Sequence, residues 1–173
     1  TMRAFTQYIV WKQDPEGFKK RFEKFLELAD KHGISVMPVL FDDVTISHYD
    51  PILGKQWEPI PGTILSSWTP SPGNKLGHDP KERPMLKKYV QDMLTTYGKD
   101  RRIIVWDLFN EPTNGAKVGN NAFLKEAFAW AREAAPEQPL TASCVWVVLK
   151  GNGGLNNTLI EMSDVTSIHA YTD

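Results

Sequence analysis

Ile103-Ile104-Val105-Trp106-Asp107-Leu108-Phe109-Asn110-Glu111-Pro112 is the stretch that most limits what this chain can become. It begins as a short apolar run, which reads as a strand covered on both faces. It ends in Asn110 and Glu111, adjacent polar residues that no packing argument asks for, placed where the strand runs out. Pro112 closes the ladder, because it has no N–H to give and fixes its own φ. A carboxylate at the C-terminal end of a parallel strand is where α/β barrels put their chemistry. Glu-Pro alone reads as a surface turn with a helix-capping glutamate; the strand in front of it turns the reading toward chemistry.

The rest of the chain alternates strands with amphipathic helices. Met2 to Trp11 is rich in aromatic and β-branched residues and predicts a strand. Asp14-Pro15 opens a helix as N-cap and first helical residue. Phe18, Phe22, Phe25, Leu26 and Ala29 form its apolar face, and His32-Gly33 ends it. Ile34 to Phe41 is the second predicted strand, with Asp42-Asp43 at its end. A segment without clear period runs from Val44 to Asp79 and carries Tyr49, Trp57 and Trp68. Loops of this length are usually functional, and flat rings suit a sugar-binding cleft. A helix from Pro80 or Pro84 to Gly98 buries Leu86, Val90, Met93, Leu94 and Tyr97. After the motif strand comes a helix over Phe123 to Ala135, with Phe123, Ala127, Trp130, Ala131 and Ala134 inward. A strand over Leu140 to Leu149, a flexible Gly151-Asn152-Gly153-Gly154 loop, a short helix over Asn157 to Met162 and a strand over Val165 to Tyr171 complete the pattern. The order βαβαβαβαβ implies one α/β domain over residues 1–173, a parallel sheet of about five strands with right-handed helical crossovers.

Trp106 to Pro112 resembles the fourth-strand motif of the glycoside hydrolase clan built on eight-stranded (β/α) barrels, the clan of the family 5 cellulases and mannanases. The resemblance implies a partial barrel corresponding to strands two to six. It implies retaining hydrolysis of β-linked glycans, with Glu111 as general acid/base and Asn110 as ligand of the sugar 2-hydroxyl. His169-Ala170-Tyr171 is similar to the clan's sixth-strand His-x-Tyr, in which His contacts substrate and Tyr the nucleophile. Arg3 matches the second-strand Arg that orients the nucleophilic carboxylate. Trp68 is read as a further substrate contact. At the end of the third strand, where family 5 enzymes often place a His, this chain has Phe41-Asp42.

Strand ends of a parallel sheet converge on one rim, so Arg3, Asp42, Glu111, His169 and Tyr171 are expected to share a site. Arg3 is expected to pair with Asp107 or Glu111. Retaining hydrolysis needs two carboxyl groups about 5–5.5 Å apart, one protonated and one attacking. Glu111 can be the first. The resemblance puts the second on a seventh strand that the pattern lacks, and neither Glu161, in a helix, nor Asp173 matches its position. The expected isolated chain is therefore a poor enzyme. The other reading is a non-catalytic barrel fragment, truncated or engineered, that self-associates.

Composition excludes other classes. A formal net charge of -1 gives no basic field for nucleic acid or an anionic membrane. No apolar run approaches the roughly 20 residues of a membrane span. A single cysteine, Cys144, allows no internal disulfide. Asp42, Asp43, His48 and His169 lack metal-ligand spacing, and Gly151 to Gly154 is not a phosphate loop, so neither metal nor cofactor is expected. The expected partners are a β-linked oligo- or polysaccharide and either a second copy of the chain or a complementary barrel fragment.

Overall fold

The computed structural model describes residues 1–44, 50–112, 120–145 and 153–169. Its strands are β1 (Met2–Phe5), β2 (Val36–Asp42), β3 (Trp106–Asn110), β4 (Leu140–Val145) and β5 (Ser167–His169). Its helices are α1 (Tyr8–Gln13), α2 (Pro15–Lys31), α3 (Asn74–His78), α4 (Arg83–Tyr97), α5 (Asn121–Glu133) and α6 (Gly153–Met162), with a 3-10 turn over Pro80–Glu82 before α4. The strands form one five-stranded sheet in the order β1-β2-β3-β4-β5, every neighbouring pair parallel. This is the expected α/β fold, a partial TIM-type barrel. Among the described residues no helix is long and apolar enough to cross a membrane.

Local signals account for most boundaries. The Asp14 side chain accepts from Gly17 N–H at 2.9 Å and Pro15 stands at the first helical position, so α2 starts where the cap dictates. Gly33 takes φ +66° just beyond the C-cap, a conformation that suits glycine. Asn120 caps α5 through Ala122 and Phe123 N–H. Between the sheet and the helices lies an aromatic nucleus: Phe41 packs 5.1 Å from Phe123, 5.6 Å from Phe109 and 5.8 Å from Tyr89, centroid to centroid. Each such tilted or edge-on pair adds about 0.5–1.5 kcal/mol beyond area burial.

Three expectations are corrected. The predicted strand Met2 to Trp11 stops at Phe5, and Tyr8–Gln13 is helical. Tyr8 and Trp11 are both buried, so the 3.6-residue period, not the β-rich composition, decides this segment. The run before β3 is covered less than expected: Ile103 is buried and bridges Val36, but Ile104 is 42% exposed. The glycine loop is shorter, because Gly153 and Gly154 already belong to α6. Two buried faces were also underread: Tyr89 on α4 and Leu124 and Phe128 on α5 are fully buried. His48, Tyr49, Gly151, Asn152, Tyr171 and Asp173, and the predicted strand ends 146–149 and 170–171, lie outside the described residues.

The segment between β2 and α4 returns to the sheet. Ser71 pairs with Asp42 in an antiparallel bridge, its N–H donating to Asp42 C=O at 3.0 Å and its C=O accepting from Asp42 N–H at 2.7 Å. Gly73 follows at φ +92°, and a Cβ there would lie 2.3 Å from Pro51 Cδ and 2.7 Å from Asp50 Oδ1. Gly73→Ala should therefore cost roughly 1–3 kcal/mol, read by urea denaturation of the variant beside the parent chain. A stability change within experimental error would show that this return is not a constrained turn.

Candidate active site

A polar network runs from the middle of the sheet to the C-terminal ends of its strands. Arg3 on β1 donates from Nη2 to Asp107 Oδ2 at 2.6 Å, to Asn110 Oδ1 at 2.8 Å and to Ser143 Oγ at 3.0 Å. Ser143 on β4 donates to Asp107 Oδ2 at 2.8 Å. Asp107 and Ser143 have no exposed surface, and Asn110 and Glu111 are buried. Of the two partners expected for Arg3, Asp107 is the one it takes. The strand that carries Asp107 is not regular. Asp107 pairs with Thr141 and Asn110 with Ser143, three steps along β3 against two along β4, so β3 carries a bulge. The extra residue puts Asp107 and Asn110, three apart, within reach of the same guanidinium. Bulges of this kind re-aim side chains beside functional sites.

Glu111 leaves the strand at φ +45°, a left-handed conformation that a non-glycine residue adopts at a cost of order 1 kcal/mol or more. Its N–H is held by Ser143 C=O at 2.7 Å. Its carboxylate reaches His169 on β5, Oε1 to Nδ1 at 2.5 Å. Neighbours in a regular strand point to opposite faces; the turn at Glu111 lets Asn110 bond toward β1 and β2 while Glu111 bonds toward β5. Three of the expected site residues, Arg3, Asn110 and Trp68, are linked through Asp107 and Asp42, and Glu111 with His169 forms the adjoining pair.

Asp42 was read only as sharing the rim, and the structure makes it a junction. Its Oδ1 accepts from Asn110 Nδ2 at 2.6 Å and its Oδ2 from Trp68 Nε1 at 2.6 Å. Phe5 packs edge-on against Trp68 at 4.9 Å, and both border a cavity of about 300 Å³ with Thr6, Gln7, Ser67 and Thr69. Trp57 is 42% exposed on the same loop. Neither the Trp68–Asp42 bond nor the bulge has a sequence signal, because both depend on where a long loop lands. Among the described residues no group of three His, Cys, Asp or Glu side chains is arranged to hold a metal.

Burial pushes the Asp42 carboxyl up to about 6, against the pull of its bonds from Asn110, Trp68 and Val44 N–H, and the charge of Glu111 adds to the rise. The folded chain thus favours protonated Asp42. The stability from this group is full below the ordinary Asp range and is lost as pH rises through about 6. Burial also raises Asp107, with Arg3 and Ser143 pulling it down.

No protein-family model matches the chain, and no curated protein matches it in sequence. Solved structures do match it in fold. One is a β-glucuronidase of an uncultured Clostridium species, at TM-score 0.52 and 15% identity, covering 86% of this chain and 21% of that one. Another is a psychrophilic glycoside hydrolase family 10 endo-β-1,4-xylanase, at TM-score 0.53 and 14% identity, covering 86% of this chain and 48% of that one. At such identity the likeness is one of fold. This chain spans less than half the length of either.

The Arg3–Asp107 pair sets a stability prediction. Arg3→Met strands a fully buried carboxylate, and the side chain lost is itself 30% exposed, so the expected cost is at the low end, about 3 kcal/mol at pH 7. Acid should shrink the loss, because protonating Asp107 removes the stranded charge. Urea denaturation at neutral and at acid pH checks this; an equal, small loss at both would mean that the pair does not carry the sheet centre.

Proposed function

We propose that this chain carries the acid/base half of a retaining β-glycan hydrolase of the cellulase or mannanase kind. The observation that carries the reading is the end of β3, where Asn110 and a left-handed, buried Glu111 stand at the C-terminal rim of a parallel sheet, with His169 2.5 Å from the carboxylate. Glu111 is the general acid/base, giving a proton to the leaving oxygen and then taking one from water. Asn110 offers its amide to the sugar 2-hydroxyl. His169, Tyr171, Arg3 and Trp68 complete the substrate side, Arg3 by holding Asn110 and Trp68 by walling the loop side. The two solved structures similar in fold, a β-glucuronidase and an endo-β-1,4-xylanase, support its coarser part, a glycan-hydrolase-like fragment.

Displacement needs a second carboxylate across the sugar ring, and the resemblance puts it on a strand outside this sheet. Binding is therefore the informative assay. Calorimetric titration of cello-, manno- and xylo-oligosaccharides should show saturable binding of at least one, weakened about tenfold, or about 1.4 kcal/mol, by Asn110→Ala. Hydrolysis of aryl β-glycosides should stay near background. Absence of binding by every β-linked series would defeat the reading. Turnover abolished by Glu111→Gln would keep it and place a nucleophile within this chain.

The second reading, self-association, is favoured by the sheet edges. Met2 and Phe5 are each 42% exposed on β1, and Ile168 on β5 is 45% exposed. A groove of about 450 Å³ beside β1 is lined by Met2, Ala4, Phe18, Phe22 and Phe25. Edge strands with apolar flanks recruit further strands. Sedimentation should show a dimer that Phe5→Lys shifts toward monomer; a parent chain that stays monomeric at high concentration would reject this.

A further inference from the structure

An amide side chain has an acceptor end and a donor end, and its neighbours decide which way it faces. Arg3 offers only donors and takes Asn110 Oδ1. Ionised Asp42 offers only acceptors and takes Asn110 Nδ2. The Asn110 amide thus has one orientation. The same carboxylate accepts from the Trp68 indole through its other oxygen. Its backbone is clamped on both sides by Ser71, and its register partner on β3 is Asn110 itself. Asp42 is buried, so water does not compete for these bonds.

We propose that Asp42 is a positioning residue that fixes the Asn110 amide and the Trp68 indole together, so that strand end and loop present a glycan with one rigid unit. This rests on the β-glycan reading above. This carboxylate ties the Trp68 indole of the loop to the strand-end amide, so the placement of the one and the orientation of the other become one property.

Asparagine cannot do the same work. At position 42 it has one acceptor oxygen facing the side-chain N–H donors of Trp68 and Asn110, besides the Val44 N–H. Either Trp68 or Asn110 loses its partner, or Asn110 flips and sets its nitrogen against Arg3. A proton on Asp42 has the same consequence, because one oxygen becomes a donor. Among the described residues, the charged groups tied to it are Glu111 just beyond β3, whose charge acts on it, Asp43 next to it in sequence, and Arg3, which shares the Asn110 amide with it. With the carboxyl titrating near 6, positioning is complete above that pH and lost as pH falls through it.

The test uses the free chain first. In nitrogen-15 spectra the Trp68 indole and Asn110 amide signals should titrate together, with a midpoint near 6. Asp42→Asn should move both signals at neutral pH and abolish their titration. Titration of cellotetraose and mannotetraose should then show affinity falling several-fold from about pH 7 to about pH 5, and Asp42→Asn about tenfold weaker with a flat profile. The exchanged pair Asp42→Asn with Asn110→Asp matches the Arg3, Trp68 and position-42 side-chain donors to acceptors again, leaving only the long Val44 N–H contact, 3.3 Å in the parent, opposed. It should restore the Trp68 signal but not the affinity, since the amide nitrogen at position 110 has gone. Should Asp42→Asn fail to fold, the exchanged pair decides alone: a Trp68 signal that does not return to its parent position overturns the proposal. So does an Asp42→Asn variant in which signals and affinity are unchanged. Signals that titrate as stated while neither tetrasaccharide binds uphold Asp42 as the tie between loop and strand and overturn its service to a glycan, a failure of the functional reading alone.

Discussion

A carboxylate with no exposed surface in the middle of a parallel sheet must be neutralised, and Arg3 does this for Asp107. The guanidinium also reaches Ser143 on β4, three strands away in the sheet order. In a flat sheet those strands would lie about 14 Å apart at ordinary inter-strand spacing, farther than an arginine side chain extends. The sheet must therefore curl, with the inward side chains of β1, β3 and β4 converging on its concave side. That curl is the barrel curvature, and in this chain the ion pair and the curvature require each other. Burying the pair is not in itself a gain, since desolvation offsets most of the attraction. What it supplies is a fixed register between strands far apart in sequence.

The same demand explains the irregular end of β3. A regular strand would point Asp107 and Asn110 to opposite faces, leaving the guanidinium with one of them. The bulge against β4 brings both within its reach. The left-handed turn at Glu111 then ends the ladder and turns the next carboxylate toward β5. Both are locally unfavourable, and both are held by bonds to a single residue: Ser143 donates its hydroxyl to Asp107 and offers its carbonyl to Glu111 N–H. Strain at the point of proposed chemistry is thus carried by a neighbour with no reactive role.

The sequence was legible where one local signal decided the outcome. Asp14-Pro15, Gly33 and Gly98 marked the limits of α2 and the end of α4, and the apolar periods of α2, α4 and α5 named most of the buried faces. Asn110 and Glu111 stood out because polar residues after an apolar run have no packing reason to be there. Legibility failed where tertiary contacts decide. Tyr8 to Trp11 looked like strand because aromatic and β-branched residues favour strands, yet Tyr8, Trp11 and Tyr89 pack on one another at 5.2–6.1 Å, which a helix permits. Asp42 was legible only as a strand-end residue on the shared rim, because nothing in the sequence shows that Trp68, far along the chain, returns to it. The bulge was invisible for the same reason: it is a relation between two strands, not a property of either.

Among the described residues, the polar network draws on all five strands. Arg3 comes from β1, Asp42 from β2, Asp107, Asn110 and Glu111 from β3 and its end, Ser143 from β4 and His169 from β5. These bonds join strands held by backbone ladders, and among the described residues Trp68 brings the loop into the network through Asp42. Preorganised dipoles act without reorganising at the moment of reaction, and that is where electrostatic catalysis has its strength. A rim built this way can hold an acid/base in position before a nucleophile is present. In the proposed reaction, orienting the acid/base would rest on bonds made within this sheet, and the second carboxylate is a separate requirement.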